Sequence, residues 1–456
     1  MITRRSKLLI RRIILAIALL WMFQRLRMPP TKDLAYSALR YDASKVKFVP
    51  HELISLIYGK VQHLEESKPS LDWSRFAYVQ YATDLDYICN AVINFAKLRE
   101  EFGTKADLVL MYYKGFSYNP HRLPEKQYKP ESRLLQEAEA EFGIKLIPVS
   151  MISLKSDSTT WEESFTKLHL FELEQYDRVI FFDSDSTVNL GMDHLFFLPP
   201  SLVALPVLYT WPISNPVMSP AVRTCEQRQN QLQYFYEKVV TGMSEMSDEF
   251  SWNVLSNLPV FTPWDDLQFT TALMVVQPNK KMFKKLMKLT KGRSKSDYDM
   301  EIVNKFLQGA WTKENAYFNE KTDTVEPLLT VLGHHDLLML TGELTVHSLR
   351  GHSRYMMDPN DLQLSEIETP ENAYWKSKEC AWSLVPETKK TKLFHFSDHP
   401  VPKPWKPQDS QDHENIDCVD RLTSSSDKPE CNAIRVWNQL YVDYAKDRME
   451  YCNLDI

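Results

Sequence analysis

Arg178-Val-Ile-Phe-Phe-Asp-Ser-Asp185 joins an uninterrupted apolar run to two carboxylates. A short run of this kind is typical of a strand that is buried on both faces of a parallel sheet. Two carboxylates separated by one residue, directly after such a strand, can both reach a divalent cation, and Mg²⁺ or Mn²⁺ takes carboxylate and phosphate oxygens as ligands. The stretch therefore predicts a metal site that could hold a phosphorylated ligand, with Asp183 and Asp185 as its acids.

Two other triplets share this acid spacing, Asp84-Leu-Asp86 and Asp297-Tyr-Asp299. A D-x-D triplet alone is most often a surface turn, so the apolar strand before Asp183 is what distinguishes the central one. Thr83 and Asp84 also follow a predicted strand. Because ligands of open α/β sheets bind beyond the carboxyl ends of the strands, both strand ends are expected to border the site.

Strands and helices alternate on both sides of this stretch, which predicts an α/β fold with a mainly parallel sheet. Short apolar runs predict strands at 76–81, 107–112, 145–149, 178–182 and 273–276. Helical spacing of apolar residues predicts helices at 87–102, 134–142, 165–173, 281–289, 300–307 and 436–449.

Composition narrows the class of function. Of the 456 residues, 43% are apolar, which supports a substantial core, and the net charge of −6 without a long basic stripe argues against nucleic-acid binding. Only 11 glycines occur, and neither a G-x-x-x-x-G-K-[ST] nor a G-x-G-x-x-G pattern is present. A phosphate would therefore be held by a metal and by basic side chains.

The six cysteines contain no C-x-x-C pair, which argues against a structural zinc site. If the body of the protein lies in an oxidising compartment, one or two disulfides are expected among the four C-terminal cysteines, with the pairing left open. These four are Cys380, Cys418, Cys431 and Cys452. Cys89 and Cys225 are expected to be buried free thiols.

The N-terminus predicts a membrane anchor. Five basic residues precede the apolar run 13–23, and two arginines follow it closely. Bulky Trp21, Met22 and Phe23 stand where a small-x-small cleavage site would be needed, so an uncleaved type II signal-anchor is favoured over a cleaved signal peptide. The charge bias predicts a cytosolic N-terminus and a lumenal body, and the short run suits a thin early secretory membrane.

The predicted organisation follows from this anchor. It comprises a cytosolic tail at 1–12, a span at roughly 8–24 around the apolar core 13–23, a lumenal stem at 25–70, a catalytic domain at 73–405 and a C-terminal extension at 406–456. Residues 207–263 are expected to form an insertion that shapes acceptor binding, or a packed excursion.

A family resemblance is carried by Thr166-Lys-Leu-His-Leu-Phe-Glu-Leu-Glu-Gln-Tyr-Asp-Arg-Val-Ile-Phe-Phe-Asp-Ser-Asp185, continuing to Asp193-His-Leu-Phe196. It resembles the core of the glycogenin-like glycosyltransferases, family 8. His395-Phe396 with Lys403-Pro-Trp405 resembles the C-terminal histidine and lysine motif of that family, with two more residues between His and Lys and Asp398 where glycine is usual. The resemblance covers 73–405 without 207–263. It implies a GT-A type, Rossmann-like, mixed and mainly parallel sheet flanked by helices.

The resemblance also implies roles for individual residues. Asp183 and Asp185 would bind Mn²⁺ or Mg²⁺, with His395 as the third protein ligand. The UDP-sugar donor would contact Lys167, Ser184 and Lys403, the last at the diphosphate, and Asp299 would lie near the donor sugar. The uridine pocket would be lined by Tyr81, Thr83, Asp84 and Tyr87. Met300 and Thr270 stand where glutamine and asparagine are usual.

Within family 8 the chain resembles in particular the fungal Golgi α-1,2-N-acetylglucosaminyltransferases, on Trp161-Glu-Glu-Ser-Phe-Thr166 and Asp299-Met-Glu-Ile-Val-Asn304. The implied activity is retaining, metal-dependent transfer of N-acetylglucosamine from UDP-N-acetylglucosamine to mannose-containing glycans of mannan or N-glycans in the Golgi lumen. Three alternatives stay open: a family 8 transferase that uses UDP-glucose or UDP-galactose, an inactive lumenal sugar-binding scaffold, and a metal-dependent hydrolase. Presence of both acids, the histidine and both lysines argues against the scaffold, and the small number of metal ligands argues against the hydrolase.

Overall fold

The computed structural model of the chain describes residues 71–116, 129–157, 161–198, 200–206, 208, 268–312, 316–332, 337–340, 391–396, 403–406 and 431–454, with short pieces within 47–66. Its strands are β1 (Lys47–Val49), β2 (Phe76–Ala82), β3 (Asp107–Tyr113), β4 (Lys145–Val149), β5 (Arg178–Phe182), β6 (Ser186–Val188), β7 (Val203–Pro206), β8 (Leu273–Val276), β9 (Ala316–Asn319), β10 (Thr324–Pro327), β11 (Leu329–Leu332), β12 (Leu338–Leu340) and β13 (Leu393–His395). Its α-helices are α1 (Leu85–Glu100), α2 (Pro130–Phe142), α3 (Lys280–Thr290), α4 (Asp299–Thr312) and α5 (Cys431–Cys452). Short 3-10 helices span Trp73–Arg75, Lys114–Phe116, Ser164–Glu172 and Asp193–Phe197.

The main sheet has eight strands in the order β1-β11-β7-β8-β5-β2-β3-β4. Neighbouring strands run parallel except at β8, which is antiparallel to both β5 and β7. A smaller sheet has the order β12-β13-β6, and a third pairs β9 with β10. Parallel pairing brings the carboxyl ends of β2, β3 and β5 to the same edge of the main sheet, where ligands of α/β folds bind.

Strand β5 is buried along its whole length, so each of its faces packs on a separate layer. Ile180 and Phe182 lie in the apolar cluster that contains helix α1. Val179 and Phe181 lie in the opposite cluster, together with the 3-10 helix Ser164–Glu172. This period-two alternation fixes the register of the strand, because a shift by one residue would exchange the two faces. The register of β5 therefore fixes the position of Asp183 and Asp185 at the carboxyl edge of the sheet.

The predicted α/β fold with a mixed, mainly parallel sheet is confirmed. Strands at 145–149, 178–182 and 273–276 have the predicted bounds, and those at 76–81 and 107–112 are each one residue longer. The helix predicted at 165–173 is present with bounds shifted by one residue, and it is the 3-10 helix Ser164–Glu172. Seven of its nine residues are buried, so packing on all sides, rather than one amphipathic face, decides its conformation.

Helix α5 is fastened to α1. Cys89 and Cys452 form a disulfide, the Arg448 guanidinium lies 2.6 Å from the Asp86 carboxylate, and Tyr444 packs in the α1 cluster. The expected free thiol at Cys89 is therefore wrong: its partner is 363 residues away, and that proximity arises only in the folded chain. Helix α5 lies in the range predicted as a C-terminal extension, and its Tyr441, Tyr444 and Cys452 are buried in the same apolar cluster as α1. The side chains of Cys225, Cys380, Cys418 and Cys431 lie outside the described residues.

Removing this disulfide is expected to destabilise the protein. Replacing both cysteines in a Cys89→Ala/Cys452→Ala variant should lower the free energy of unfolding by about 2–4 kcal/mol, because the unfolded chain loses a long-range constraint. Urea unfolding with and without reductant measures this. The wild type should lose stability in reductant and the variant should not; equal stability of wild type and variant under oxidising conditions would contradict the prediction.

The N-terminal predictions are only partly covered by the structure. Among the residues described, no helix is both long enough and apolar enough to cross a bilayer, and the predicted anchor at 13–23 lies outside them. Strand β1 and the buried side chains of Ile54 and Val61 fall within the range 25–70 that was predicted as a stem. Part of that range therefore packs onto the catalytic domain. The predicted insertion at 207–263, residue 208 excepted, lies outside the described residues.

Candidate active site

The backbone of Asp183 is held at the sheet edge by its neighbours. Its N–H donates to the carbonyl of Ala272, 2.9 Å away, and its carbonyl accepts from the Gln80 side-chain amide at 3.2 Å. The Asn94 amide of helix α1 then secures strand β6: its Nδ2 donates to the carbonyl of Ser186 at 2.8 Å, and its Oδ1 accepts from Val188 N–H at 2.9 Å. The loop between β5 and β6 is therefore pinned on both sides of the D-x-D triplet.

Strand β13 brings a histidine to the acids from far along the chain. It pairs antiparallel with β6, which sets His395 opposite Ser186, and Phe396 N–H donates to the carbonyl of Asp185 at 2.8 Å. His395 Nε2 lies 3.1 Å from Asp185 Oδ1 and 4.0 Å from Asp183 Oδ2. The predicted return of this C-terminal segment to the D-x-D triplet is thus present in the structure.

Lys403 approaches the same carboxylate from the segment after β13. Its Nζ lies 2.6 Å from Asp185 Oδ2 and 5.8 Å from the ring centroid of Trp405. Trp405 in turn packs against Tyr87 of α1 and Tyr444 of α5, with ring centroids 5.8 and 5.6 Å apart. The lysine is therefore positioned by an aromatic cluster that joins both helices.

Lys167 lies between Asp183 and Asp299 and contacts both carboxylates. Its Nζ lies 2.7 Å from Asp183 Oδ1 and 2.9 Å from Asp299 Oδ2, and its side chain is 4% exposed. Thr271 adds a hydroxyl that donates to Asp299 Oδ2 at 2.7 Å. The ammonium group is thus enclosed by the carboxylates that it neutralises. Lys167 therefore positions both acids, and its contact with the donor stays a prediction.

Burial and the neighbouring charges shift the pKa values of the ionisable groups in this cluster. Desolvation, reinforced by the neighbouring acids, raises the pKa of Asp183 despite the attraction of Lys167. For Asp185, desolvation is outweighed by the charges of Lys403 and His395, which hold its pKa well below the usual range. Desolvation would lower the pKa of Lys167, but Asp183 and Asp299 raise it. The two ammonium groups of this cluster thus face three carboxylates, so the acids outnumber the lysines by one.

The donor set fits a divalent cation. Asp183, Asp185 and His395 each offer one ligand atom, and these atoms lie within 4.8 Å of one another. Carboxylate oxygens suit hard cations, while an imidazole extends the preference toward transition metals such as Mn²⁺. The residual negative charge also favours a cation. These three residues could therefore hold a metal ion.

The other two D-x-D triplets have different roles. The Asp84 carboxylate caps helix α1 by accepting from Tyr87 N–H at 2.9 Å, and Asp86 pairs with Arg448. The Asp297 carboxylate accepts from Ser294 N–H and from Lys305 Nζ, at 2.6 and 2.5 Å. Of these acids only Asp299, the last residue of the third triplet, reaches the ion cluster.

The predicted uridine-pocket residues lie together where β2 passes into α1. Tyr81 stacks on Phe181 with ring centroids 6.1 Å apart, and Thr83 is half-buried beside it. Desolvation raises the pKa of the Asp84 carboxyl, and the nearby charges of Asp86 and Glu163 add to this. These residues border the D-x-D loop, because the hydroxyl of the buried Ser184 donates to the carbonyl of Tyr81 at 2.5 Å. Ser184 therefore joins the two strand ends, and its contact with the donor stays a prediction.

Three residues that hold the site were not singled out from the sequence: Gln80, Asn94 and Thr271. Gln80 and Asn94 are polar residues that are almost completely buried inside apolar elements, at 0% and 1% exposure. Buried polar side chains need hydrogen-bond partners, so each was a detectable signal. Thr271 belongs to a Thr-Thr pair that Ala272 separates from the buried strand β8.

A D-x-D triplet, a histidine and a lysine meet at the carboxyl edge of a mixed α/β sheet, which is the arrangement expected of a glycosyltransferase. The chain is 30% identical to Glucose N-acetyltransferase 1 of Saccharomyces cerevisiae over 454 residues, which covers 90% of this chain and 88% of that protein. It is 29% identical to Glucose N-acetyltransferase 1 of Candida albicans, covering 90% and 89%. The chain belongs to the glucose N-acetyltransferase 1 family.

Family models and solved structures contribute less to the family assignment than these sequence relatives. No protein-family model matches the chain. Among solved structures, the galactosyltransferase LgtC in complex with donor and acceptor sugar analogues superposes with a TM-score of 0.36 and 12% identity, covering 80% of this chain and 95% of that one. The WbbM bifunctional glycosyltransferase superposes with a TM-score of 0.37 and 15% identity, covering 74% and 48%. The family assignment therefore rests on the sequence relatives.

Proposed function

We propose that this protein is a retaining, Mn²⁺-dependent transferase that moves N-acetylglucosamine from UDP-N-acetylglucosamine to mannose-containing glycans. The observation that carries the proposal is the convergence of Asp183, Asp185 and His395 with Lys403, in a chain of this family. The family membership supports a transferase, and the donor sugar rests on the family resemblance. The acceptor class rests on the family resemblance.

Each charged residue has a distinct part in the proposed reaction. When bound, the cation would neutralise the donor diphosphate and make it a better leaving group. Lys403 lies beside Asp185 and can share the charge that develops on the departing UDP. Lys167 fixes Asp183 and Asp299 relative to each other, so that the Asp299 carboxylate can accept a hydrogen bond from a hydroxyl of the donor sugar.

In the proposed single-step route, configuration is retained because the acceptor oxygen attacks the anomeric carbon on the face from which UDP leaves. The new glycosidic bond forms as the bond from that carbon to the diphosphate oxygen breaks. The proton of the acceptor hydroxyl passes to a diphosphate oxygen. The chain contributes orientation and charge stabilisation to this step and forms no covalent intermediate.

We further propose that the enzyme is a type II protein of the Golgi membrane with a lumenal catalytic domain. Two observations support this location. The Cys89–Cys452 disulfide is the kind of bond that persists in oxidising compartments. The N-terminal apolar run is flanked by basic residues in the manner of a signal-anchor. Protease protection of intact microsomes tests the topology, and digestion of the catalytic domain without detergent would contradict it.

A panel of donors tests the proposed activity. The full chain, purified in detergent, is incubated with UDP-N-acetylglucosamine, UDP-glucose or UDP-galactose, each with Mn²⁺, Mg²⁺ or chelator, and with α-1,2-mannobiose as acceptor. We expect transfer from UDP-N-acetylglucosamine with Mn²⁺, an α-linked product and no turnover in chelator. Preference for another UDP-sugar would contradict the donor assignment, and release of free sugar without transfer would indicate a hydrolase.

A further inference from the structure

One exposed aromatic side chain differs in its surroundings from the other exposed apolar residues. In the part of the chain that the structure describes, six large apolar side chains are exposed. Five of them lie on regular helices or on the β9–β10 hairpin, where single exposed apolar residues are ordinary. These five are Leu289, Phe318, Val325, Val442 and Met449. The sixth, Trp161, is 48% exposed and lies in the connection that leads into the ion cluster.

Two links along the chain connect Trp161 to this cluster. It precedes the 3-10 helix Ser164–Glu172, which carries Lys167. Its ring packs against Tyr298, and Tyr298 is the neighbour of Asp299. Lys167 and Asp299 are in direct contact. The segment that carries Trp161 and the segment that carries Tyr298 therefore meet at the same ion pair.

The two rings form an open corner. Their centroids are 5.1 Å apart and their planes meet at 72°. Trp161 is half exposed and Tyr298 is half-buried, so part of the corner faces solvent. Aromatic residues offer a large, rigid apolar face at a small cost in conformational entropy, which suits the C–H-rich face of a pyranose ring.

The backbone on both sides of the corner is fixed. Leu154 N–H donates to the carbonyl of Glu162 at 3.0 Å, which closes the loop before Trp161. The Glu162 carboxylate accepts from Ser156 N–H at 3.1 Å. On the other side, Tyr298 N–H donates to the Glu301 carboxylate at 2.8 Å. A site that is held in place before a ligand arrives loses less entropy on binding.

The positions of the two lysines in the ion cluster indicate which substrate the Trp161–Tyr298 corner can contact. Lys403 contacts Asp185 at one end, and Lys167 joins Asp183 to Asp299 at the other. The proposed diphosphate contact is at Lys403, whereas Tyr298 adjoins Asp299, which is proposed to contact the donor sugar, so the corner borders the sugar end of the donor, where the acceptor must approach. The carboxylate of Glu163, two residues after Trp161, lies near Asp84 and leaves this rim negative. A neutral, hydroxyl-rich ligand is therefore favoured over an anionic one.

We infer that Trp161 and Tyr298 form the platform on which a neutral hexose ring of the acceptor glycan stacks. This inference rests on the proposed function, because it takes the second substrate to be a sugar. Trp161 provides the exposed stacking face, and Tyr298 holds its angle. Carboxylates on the rim can accept hydrogen bonds from sugar hydroxyls, in the usual combination of an apolar floor with a few polar groups.

Acceptor kinetics of Trp161→Ala test the platform in the full-length enzyme. We expect the KM for α-1,2-mannobiose to rise about tenfold, with the KM for the UDP-sugar within about twofold of the wild type. Trp161→Phe should recover part of the acceptor affinity, because it keeps an aromatic face. The matched control is Phe318→Ala, which removes a 52% exposed aromatic side chain on the β9–β10 hairpin and should leave both KM values unchanged.

Direct binding of α-1,2-mannobiose in the absence of donor separates failure of the platform from failure of the proposed function. Weaker binding to Trp161→Ala than to wild type supports the platform even if the donor sugar is not N-acetylglucosamine. Equal disaccharide affinity in the two proteins would overturn it, as would an equal rise in both KM values. In the latter case the ring supports the donor pocket, and unchanged kinetics of Trp161→Ala would likewise overturn the platform.

Discussion

Asp185→Asn is expected to lower the rate of sugar transfer by about three orders of magnitude. The substitution keeps the size of the side chain and removes the charge that attracts a cation and pairs with both His395 and Lys403. Loss of a metal that stabilises a leaving diphosphate is worth several kcal/mol of transition-state energy, and each 1.36 kcal/mol is tenfold in rate. Transfer from UDP-N-acetylglucosamine at saturating Mn²⁺ measures the effect.

A matched control isolates the role of the site. Asp323→Asn makes the same chemical change at an exposed turn between β9 and β10, where the backbone has a φ of 57° that asparagine also tolerates. It should keep wild-type activity. Circular dichroism of Asp185→Asn must show a folded protein for its activity to be interpreted. A folded Asp185→Asn enzyme with near-normal transfer would contradict the metal assignment.

Lys167→Met is expected to destabilise the fold by about 3–5 kcal/mol. The lysine is almost completely buried between Asp183 and Asp299, and removal of one partner leaves buried carboxylates without compensation. The methionine fills a similar volume, so the loss is chiefly electrostatic. Chemical denaturation measures the free energy of unfolding.

A second substitution distinguishes charge from packing. In Lys167→Met/Asp299→Asn one of the two uncompensated carboxylates is also removed, so this double variant should be more stable than Lys167→Met alone. Lys281→Met is the matched control, because Lys281 pairs with Glu320 at a site where both side chains are more than 60% exposed. Its cost should stay below about 1 kcal/mol. A Lys167→Met protein as stable as wild type would contradict the proposed buried ion cluster.

Local sequence was sufficient for the elements that surround the D-x-D triplet. Strand β5 is apolar at successive positions because both of its faces are buried. A continuous apolar run of this kind can be recognised in the sequence alone. The register of this strand then fixes where Asp183 leaves the sheet. The family resemblance added His395 and Lys403, which no periodicity could connect to a triplet some 200 residues earlier.

Long-range packing could not be predicted in the same way. The pairing of Cys89 with Cys452 depends on how α5 docks against α1, and six cysteines allow many pairings. The direction of Lys167 was also hidden: a lysine near a phosphate site suggests a ligand contact, whereas the structure encloses it between two acids. Ser184 is similar, since its hydroxyl joins two strand ends. In each case the partner is distant in sequence.

UDP binding as a function of Mn²⁺ concentration tests the central claim most directly. Calorimetric titration of the full chain with UDP, in chelator and at rising Mn²⁺, requires no acceptor and no turnover. We predict that UDP binds only when Mn²⁺ is present, and that Asp185→Asn binds it at least about tenfold more weakly while Asp323→Asn binds it normally. Equal UDP affinity in chelator and in Mn²⁺ would contradict a metal site formed by Asp183, Asp185 and His395.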